Sequence, residues 1–369
     1  MRILFIPGNS PSPIFSHASL AHAARSCGHE VIVGGIEWVL PDIAAIGLPA
    51  VKIADVTEAD AAEFMGSAPP DPAEQAAAVG RIYSQIALQS QEPLLRMAER
   101  WRPDLIVGGS MFYAAPLLAH RLGVPAVRLE WDRVDAAMYA PGAREVLAPA
   151  LAERGLDALP DPALWIDICP PGLREPGQDR GRRPMRWLPV NPQRTLEPWM
   201  YGKGDRPRVY ITAGARLFGG EPLSHMARAV ADLGVEVVIG APERVAADLR
   251  AELPGIDIGW VPLDVLAPTC DLILHHGGGV TDMTALHFGV PQLIVNQDIS
   301  GDAMGRLADY GAAMMLEPGR HGAADIAKAC GRMLGDPRFR ERAGTLAAEM
   351  AALPSPVEVV GLLEGLAGG

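Results

Sequence analysis

Two histidines, His275 and His276, stand directly before three glycines, Gly277, Gly278 and Gly279, and Val280 and Thr281 follow at once. The apolar run from Asp271 to His275 reads as a buried parallel strand, and the segment from Val280 to His287 has helical periodicity. A strand that stops at glycines and opens a helix leaves backbone N–H groups unpaired at a positive dipole end, without side chains to keep an anion away. That is phosphate-binding chemistry, although glycines also occupy such turns for steric reasons alone. His276, beside the glycines, can donate to an anion held there; the competing role is a satisfied core histidine, which suits His275 better. Thr281 suits phosphate as a hydroxyl donor, or the helix as a cap, and the two uses are compatible. A second feature is a carboxylate at a strand end: Asp132 follows Trp131 and the apolar run from Ala126 to Glu130. Such a group can act as general base once burial makes it a match for a weakly acidic proton. Glu130 and Asp135 compete for that role, and a solvated loop carboxylate is the alternative.

These groups need elements to hold them. Arg2 to Ile6, Val31 to Gly34, Leu105 to Gly109 and Ala126 to Glu130 read as buried strands, with a helix from Phe15 to Ser26 and a long amphipathic helix from Ile82 to Arg100. Strand, helix, strand at this spacing implies a parallel sheet. Ala59 to Ala78 reads as an exposed excursion, and Pro170 to Arg186 with Leu196 to Pro207 as a turn-rich linker. A second alternation follows, with strands at Arg208 to Thr212 and Glu236 to Ile239 before the glycine turn. The fold class is therefore α/β, with two doubly wound, Rossmann-like domains, 1–200 and 207–354. Ligands in such sheets gather beyond the strand carboxyl ends. There the sequence places Ser10, Ser110, Trp131 and Asp132 in the first half, and Thr212, Gly214, His276 and Gln297 in the second.

Composition narrows the classes. At 369 residues, with 49% hydrophobic and 21% charged residues, the chain suits two globular domains. A net charge of -12 opposes a nucleic-acid footprint. The four cysteines, Cys27, Cys169, Cys270 and Cys330, form no C-x-x-C pair, which points to a reduced, cytoplasmic protein without zinc. No uninterrupted apolar run approaches the roughly 18 residues of a membrane span. No Asp-x-Asp pair marks a strand end for a divalent ion.

His-His-Gly-Gly-Gly-Val-Thr (275–281), Gly-Val-Pro-Gln-Leu (289–293), Asp-Tyr-Gly-Ala-Ala (309–313) and Gly-Trp-Val-Pro-Leu (259–263) together resemble the nucleotide-sugar signature of glycosyltransferases with the glycosyltransferase-B fold. The resemblance runs along nearly the whole chain and is closest to the urdamycin and landomycin type of aromatic polyketide C-glycosyltransferases, through Trp131-Asp132, Asp167-Ile168-Cys169-Pro170-Pro171 and the segment from Leu196 to Tyr201. It implies two domains facing across a cleft, with a helix in 355–369 crossing back to the first. It implies a dTDP-deoxysugar held by Thr212, Gly214, Trp260, Val261, Leu263, His276, Gly278, Gly279, Val280, Thr281, Gln297 and Asp298, with Trp260 stacked on the base or packed in the core. The acceptor, an aromatic polyketide, would meet Phe15, Phe64, Ser110, Met111 and Trp131, with Asp132 as base and Ser10 beside it. No metal, cofactor, nucleic acid or membrane is implied, and the protein would be a monomer or homodimer. Two departures stand out: the family's first-loop His aligns near Pro13, with His17 further on, and the Asp-Gln pair after the last strand is replaced by Asn296-Gln297-Asp298. Loss of hydroxyl contacts suits a deoxygenated sugar. O-glycosylation, a nucleotide-sugar 2-epimerase and a non-catalytic sugar-nucleotide-binding partner are the alternatives; the polar-poor first loop argues against the epimerase, and Asp132 beside a complete donor motif argues against the partner.

Overall fold

The computed structural model describes residues 1–60, 63, 71–175, 177, 181–213, 223–295 and 301–368. Among them, parallel strands β1 (Arg2–Ile6), β2 (Glu30–Ile36), β3 (Ala50–Ala54), β4 (Leu105–Gly109), β5 (Ala126–Leu129), β6 (Leu164–Asp167) and β7 (Arg182–Pro184) form one sheet in the order 3-2-1-4-5-6-7. Strands β8 (Arg208–Thr212), β9 (Glu236–Gly240), β10 (Asp257–Gly259), β11 (Leu272–His275), β12 (Gln292–Val295) and β13 (Ala313–Leu316) form a second, also parallel, in the order 10-9-8-11-12-13. The chain divides into two compact units. The first comprises Met1–Cys169, Arg174–Pro192 and Leu353–Gly369; the second comprises Pro170–Leu173 and Gln193–Ala352.

Helices cover both faces of each sheet, so the strands are apolar on both sides. In the second unit Val209, Ile211, Leu272 and Leu274 pack into one core, while Tyr210 and Ile273 pack into another with Leu266 and Ala285. This is the period-2 alternation of a strand buried on both faces. Strand order reverses between β1 and β4 in the first sheet and between β8 and β11 in the second. The crevice at each reversal opens at the strand carboxyl ends, which places Ser10 and Ser110 at one and Thr212 and His276 at the other.

Several elements differ from their sequence reading. The first helix runs Pro11–Ser26, not from Phe15, because Pro11 and Pro13 fall in the first turn, where N–H groups have no intrahelical partner. The long helix is two, Pro72–Gln89 and Gln91–Arg100, since Pro93 cannot donate to the Gln89 carbonyl. Its start reaches into the supposed excursion: Asp71 caps it by accepting from Glu74 N at 2.9 Å. The supposed linker contains β7, whose edge position tolerates the polar sequence Arg182-Arg183-Pro184. The last helix, Pro356–Ala367, packs on Pro11–Ser26 within the first unit, with His29 Nε2 2.9 Å from Glu364 Oε1. The 31-residue stretch Pro337–Ala367 has the mean hydropathy of a membrane span, but it is two helices broken before Pro356, each burying one side on its own unit.

Candidate functional site

In the second unit, β11 ends at His275, which is fully buried and paired in register with Thr212. Gly277 N–H donates to His275 Nδ1 at 3.1 Å, so the neutral ring carries its proton on Nε2 and donates to Gln292 Oε1 at 2.7 Å. The Gln292 amide in turn donates to the Asp282 carbonyl at 3.2 Å. This chain of bonds ties β11, the turn, the following helix and β12 together, and it makes His275 a structural residue. Gly277 adopts φ +91°, a conformation L side chains rarely take. Gly278 is the N-cap of the helix Gly279–His287 and offers no side chain to its first-turn N–H groups. The His276 ring covers this terminus: a Cβ at residue 278 would stand 3.0 Å from both Cε1 and Nε2 of His276. Backbone donors, a dipole end and an imidazole thus meet at one turn, an arrangement suited to a phosphate.

Thr281 lies inside the helix rather than at its cap, because the helix begins at Gly279. Thr212 Oγ1 donates to the Gly240 carbonyl at 3.1 Å. Val261 and Leu263 are buried core residues, packed with Met200 and Tyr210, so their side chains are committed to the core. Trp260 is 42% exposed, and its carbonyl accepts from Arg194. That exposure does not suit a core use. Gly214, Gln297 and Asp298, with Asn296, lie outside the described residues, as does Phe64.

In the first unit, Ser10 is the N-cap of Pro11–Ser26 without a side-chain cap bond, and Phe15 is buried in that helix. Ser16 Oγ donates to the Trp131 carbonyl at 2.9 Å, holding the segment after β5 against the helix. Ser110 and Met111 are buried just beyond β4, and Asp132 is buried too, accepting from Val134 N at 3.0 Å through Oδ1. Of its competitors, Asp135 is exposed and caps a short turn through Ala137 N. Glu130 is buried, which raises its pKa, while Arg128, Ser110, Trp165 and Arg182 act against that rise. His17 cannot replace the absent first-loop histidine. It is 1% exposed, Nδ1 lies 2.7 Å from the Pro13 carbonyl, and burial lowers its pKa to about 4. Gly109 makes room there, since a Cβ would stand 1.9 Å from the Pro7 carbonyl oxygen.

Sequence reasoning missed two features. Asn9 is 7% exposed, and neither amide atom has a hydrogen-bond partner among the described residues; its place between Gly8 and Ser10 at a strand end was the available signal. The other is the array of Arg128, Glu130, Trp165 and Arg182, signalled only by Arg-x-Glu and Trp-x-Asp spacings in two short strands. Among the described residues no group of three or more His, Cys, Asp or Glu gathers as a metal site.

The chain matches the erythromycin biosynthesis protein CIII-like N-terminal domain over residues 22–214 and the corresponding C-terminal domain over residues 224–366. It is 34% identical to the L-demethylnoviosyl transferase of Streptomyces niveus, covering 100% of this chain and 98% of that one. The structure of the glycosyltransferase SsfS6 of Streptomyces sp. SF2575 with thymidine diphosphate matches with TM-score 0.87 and 30% identity over 99% of each chain. The spinosyn rhamnosyltransferase SpnG complexed with spinosyn aglycone matches with TM-score 0.87 and 28% identity, over 99% of this chain and 100% of that one.

Proposed function

The chain belongs to the family of erythromycin biosynthesis protein CIII-like glycosyltransferases, and from that premise we propose that it moves a deoxysugar from a dTDP-sugar to an aromatic polyketide. Its fold is of the glycosyltransferase-B type, and it is an antibiotic-biosynthesis glycosyltransferase that uses a TDP-sugar. The finer reading is an inverting, metal-independent transfer in the cytoplasm that forms a C-glycoside. The observation that carries the donor side is the turn at Gly277–Gly279, with His275 locked beneath it and His276 over the helix terminus. The diphosphate sits there and the base stacks on exposed Trp260; the likeness to SsfS6 with thymidine diphosphate supports this.

On the acceptor side Asp132 takes the phenolic proton. The resulting phenolate is rich in electron density at its ortho and para carbons. One of these attacks the anomeric carbon as the C–O bond to the diphosphate breaks, and its electron pair leaves on dTDP with His276 and the helix terminus stabilising the charge. Loss of the ring proton at the attacked carbon restores aromaticity. The match of Trp131-Asp132 to urdamycin-type enzymes supports the carbon-linked product; attack through oxygen needs the same base. Turnover with a panel of dTDP-deoxysugars and polyketide phenols tests the proposal. An acid-stable product marks the C-glycoside, an acid-labile one the O-glycoside, and no transfer from any dTDP-sugar overturns the reading.

A further inference from the structure

The first unit holds a second buried carboxylate that the reaction above leaves unused. Gly108, Arg128, Trp165 and Arg182 are register partners across β4, β5, β6 and β7. Side chains two residues further along return to the same face, so Ser110, Glu130 and Asp167 form the next row at the strand ends. Both guanidinium groups lie over the Trp165 ring, at 4.1 Å for Arg128 and 4.0 Å for Arg182. The Trp165 indole donates to Glu130 Oε1 at 2.6 Å, and Arg128 Nη2 lies 3.2 Å from the same oxygen. Glu130 is thereby fixed through one oxygen. Its other oxygen, Oε2, is buried and has no hydrogen-bond partner among the described residues. Glu130 and Asp132 line one polar cavity of about 10 Å³ with Arg133, Asp167 and Arg182, room for about one water molecule.

We infer that Glu130 is a second carboxylate coupled to Asp132 across this cavity, and that the coupling makes Asp132 the stronger base. The inference rests on the reading of Asp132 as the base. A neighbouring carboxylate disfavours a second anion, so Asp132 holds its proton more tightly. Burial raises the pKa of Glu130, and Arg128 and Arg182, with hydrogen bonds from Ser110 and Trp165, act against that rise. Among the described residues, the other charged groups that line the cavity are Arg133 and Asp135 from the loop, and Asp167 from β6, which pairs with Arg174 Nε at 3.0 Å. Glu130 acts through Asp132 and is a positioning residue.

The test is carbon NMR of the full chain carrying ¹³Cγ-labelled aspartate. Asp132→Asn removes one resonance and so assigns it, and its shift with pH gives the Asp132 midpoint without any substrate. Glu130→Gln keeps an acceptor for Trp165 but removes the charge, and should lower that midpoint by about half to one pH unit. An unchanged midpoint in a folded variant overturns the inference. Should that variant fail to fold, the wild-type curve decides: coupling spreads the Asp132 titration over two inflections, and a single one-proton curve overturns it. Failure of the base assignment shows elsewhere, as turnover of a phenolic acceptor that survives Asp132→Asn.

Discussion

His275 and Gln292 are joined by a 2.7 Å hydrogen bond from Nε2 to Oε1, linking the end of β11 to the start of β12 beneath the glycine turn. His275→Ala leaves a cavity and a buried amide without its partner, and should lower unfolding stability by about 2–4 kcal/mol in urea denaturation. His276→Ala, on a half-buried side chain, should leave it within about 0.5 kcal/mol. Equal losses would mean that both rings are structural.

The same turn makes a binding prediction. Calorimetry with dTDP should show His276→Ala weakened by about 1.5–3 kcal/mol. Gly278→Ala suits the backbone, at φ -66°, yet its methyl would press on the His276 ring. It should fold normally and bind dTDP less tightly. Unchanged affinity in both variants would move the phosphates elsewhere.

His17 predicts a pH effect on stability. Its pKa falls from 6.5 to about 4 on folding because burial disfavours the charged ring. The unfolded chain therefore binds the proton first as pH falls. Stability is full above about pH 6.5 and declines towards pH 4, by roughly 3 kcal/mol over that window from this group. His17→Asn should flatten this part of the stability–pH curve relative to wild type while leaving the pH profile of turnover in place. A loss of the acidic limb of turnover would make His17 a catalytic group.

Asp132→Asn keeps the acceptor for Val134 N but cannot take a proton. Turnover should fall about 10²–10⁴-fold with both ligands still bound, and the rising limb of the pH–rate profile should vanish. Exposed Asp135→Asn is the matched control. If the control is dead and Asp132→Asn is near wild type, the base is misassigned.

Turnover should survive dialysis against EDTA. The donor turn offers backbone N–H groups and an imidazole to the diphosphate in place of a metal-bridged carboxylate pair. Activity abolished by EDTA and restored by magnesium would refute this.

Much of the architecture was legible from one dimension. Alternation of apolar runs with glycine turns at Ile6–Gly8, Gly108-Gly109 and His275–Gly279 dictates parallel strands feeding helices, because burial on both faces and left-handed or side-chain-free corners leave few other uses for such a pattern. Proline placement was legible in principle too: Pro93 marks a helix break and Asp71-Pro72 a helix start, each through a missing N–H or a capping oxygen.

Which of two neighbouring side chains is buried was decided only by tertiary structure. His275 and His276 are adjacent and chemically identical, yet the register of β11 on β8 and β12 turns one into the core against Gln292 and leaves the other over Gly278. Asp132 and Asp135 are both loop aspartates, and packing buries the first while exposing the second. Val261 and Leu263 were read as donor contacts, and packing places their side chains in the core. Glu130 gained a role only when parallel pairing brought β5, β6 and β7 side by side. Local sequence sets backbone preference and the side-chain period; burial, pairing and charge environment depend on residues far away in the chain, and those are settled only when the sheet closes its rows.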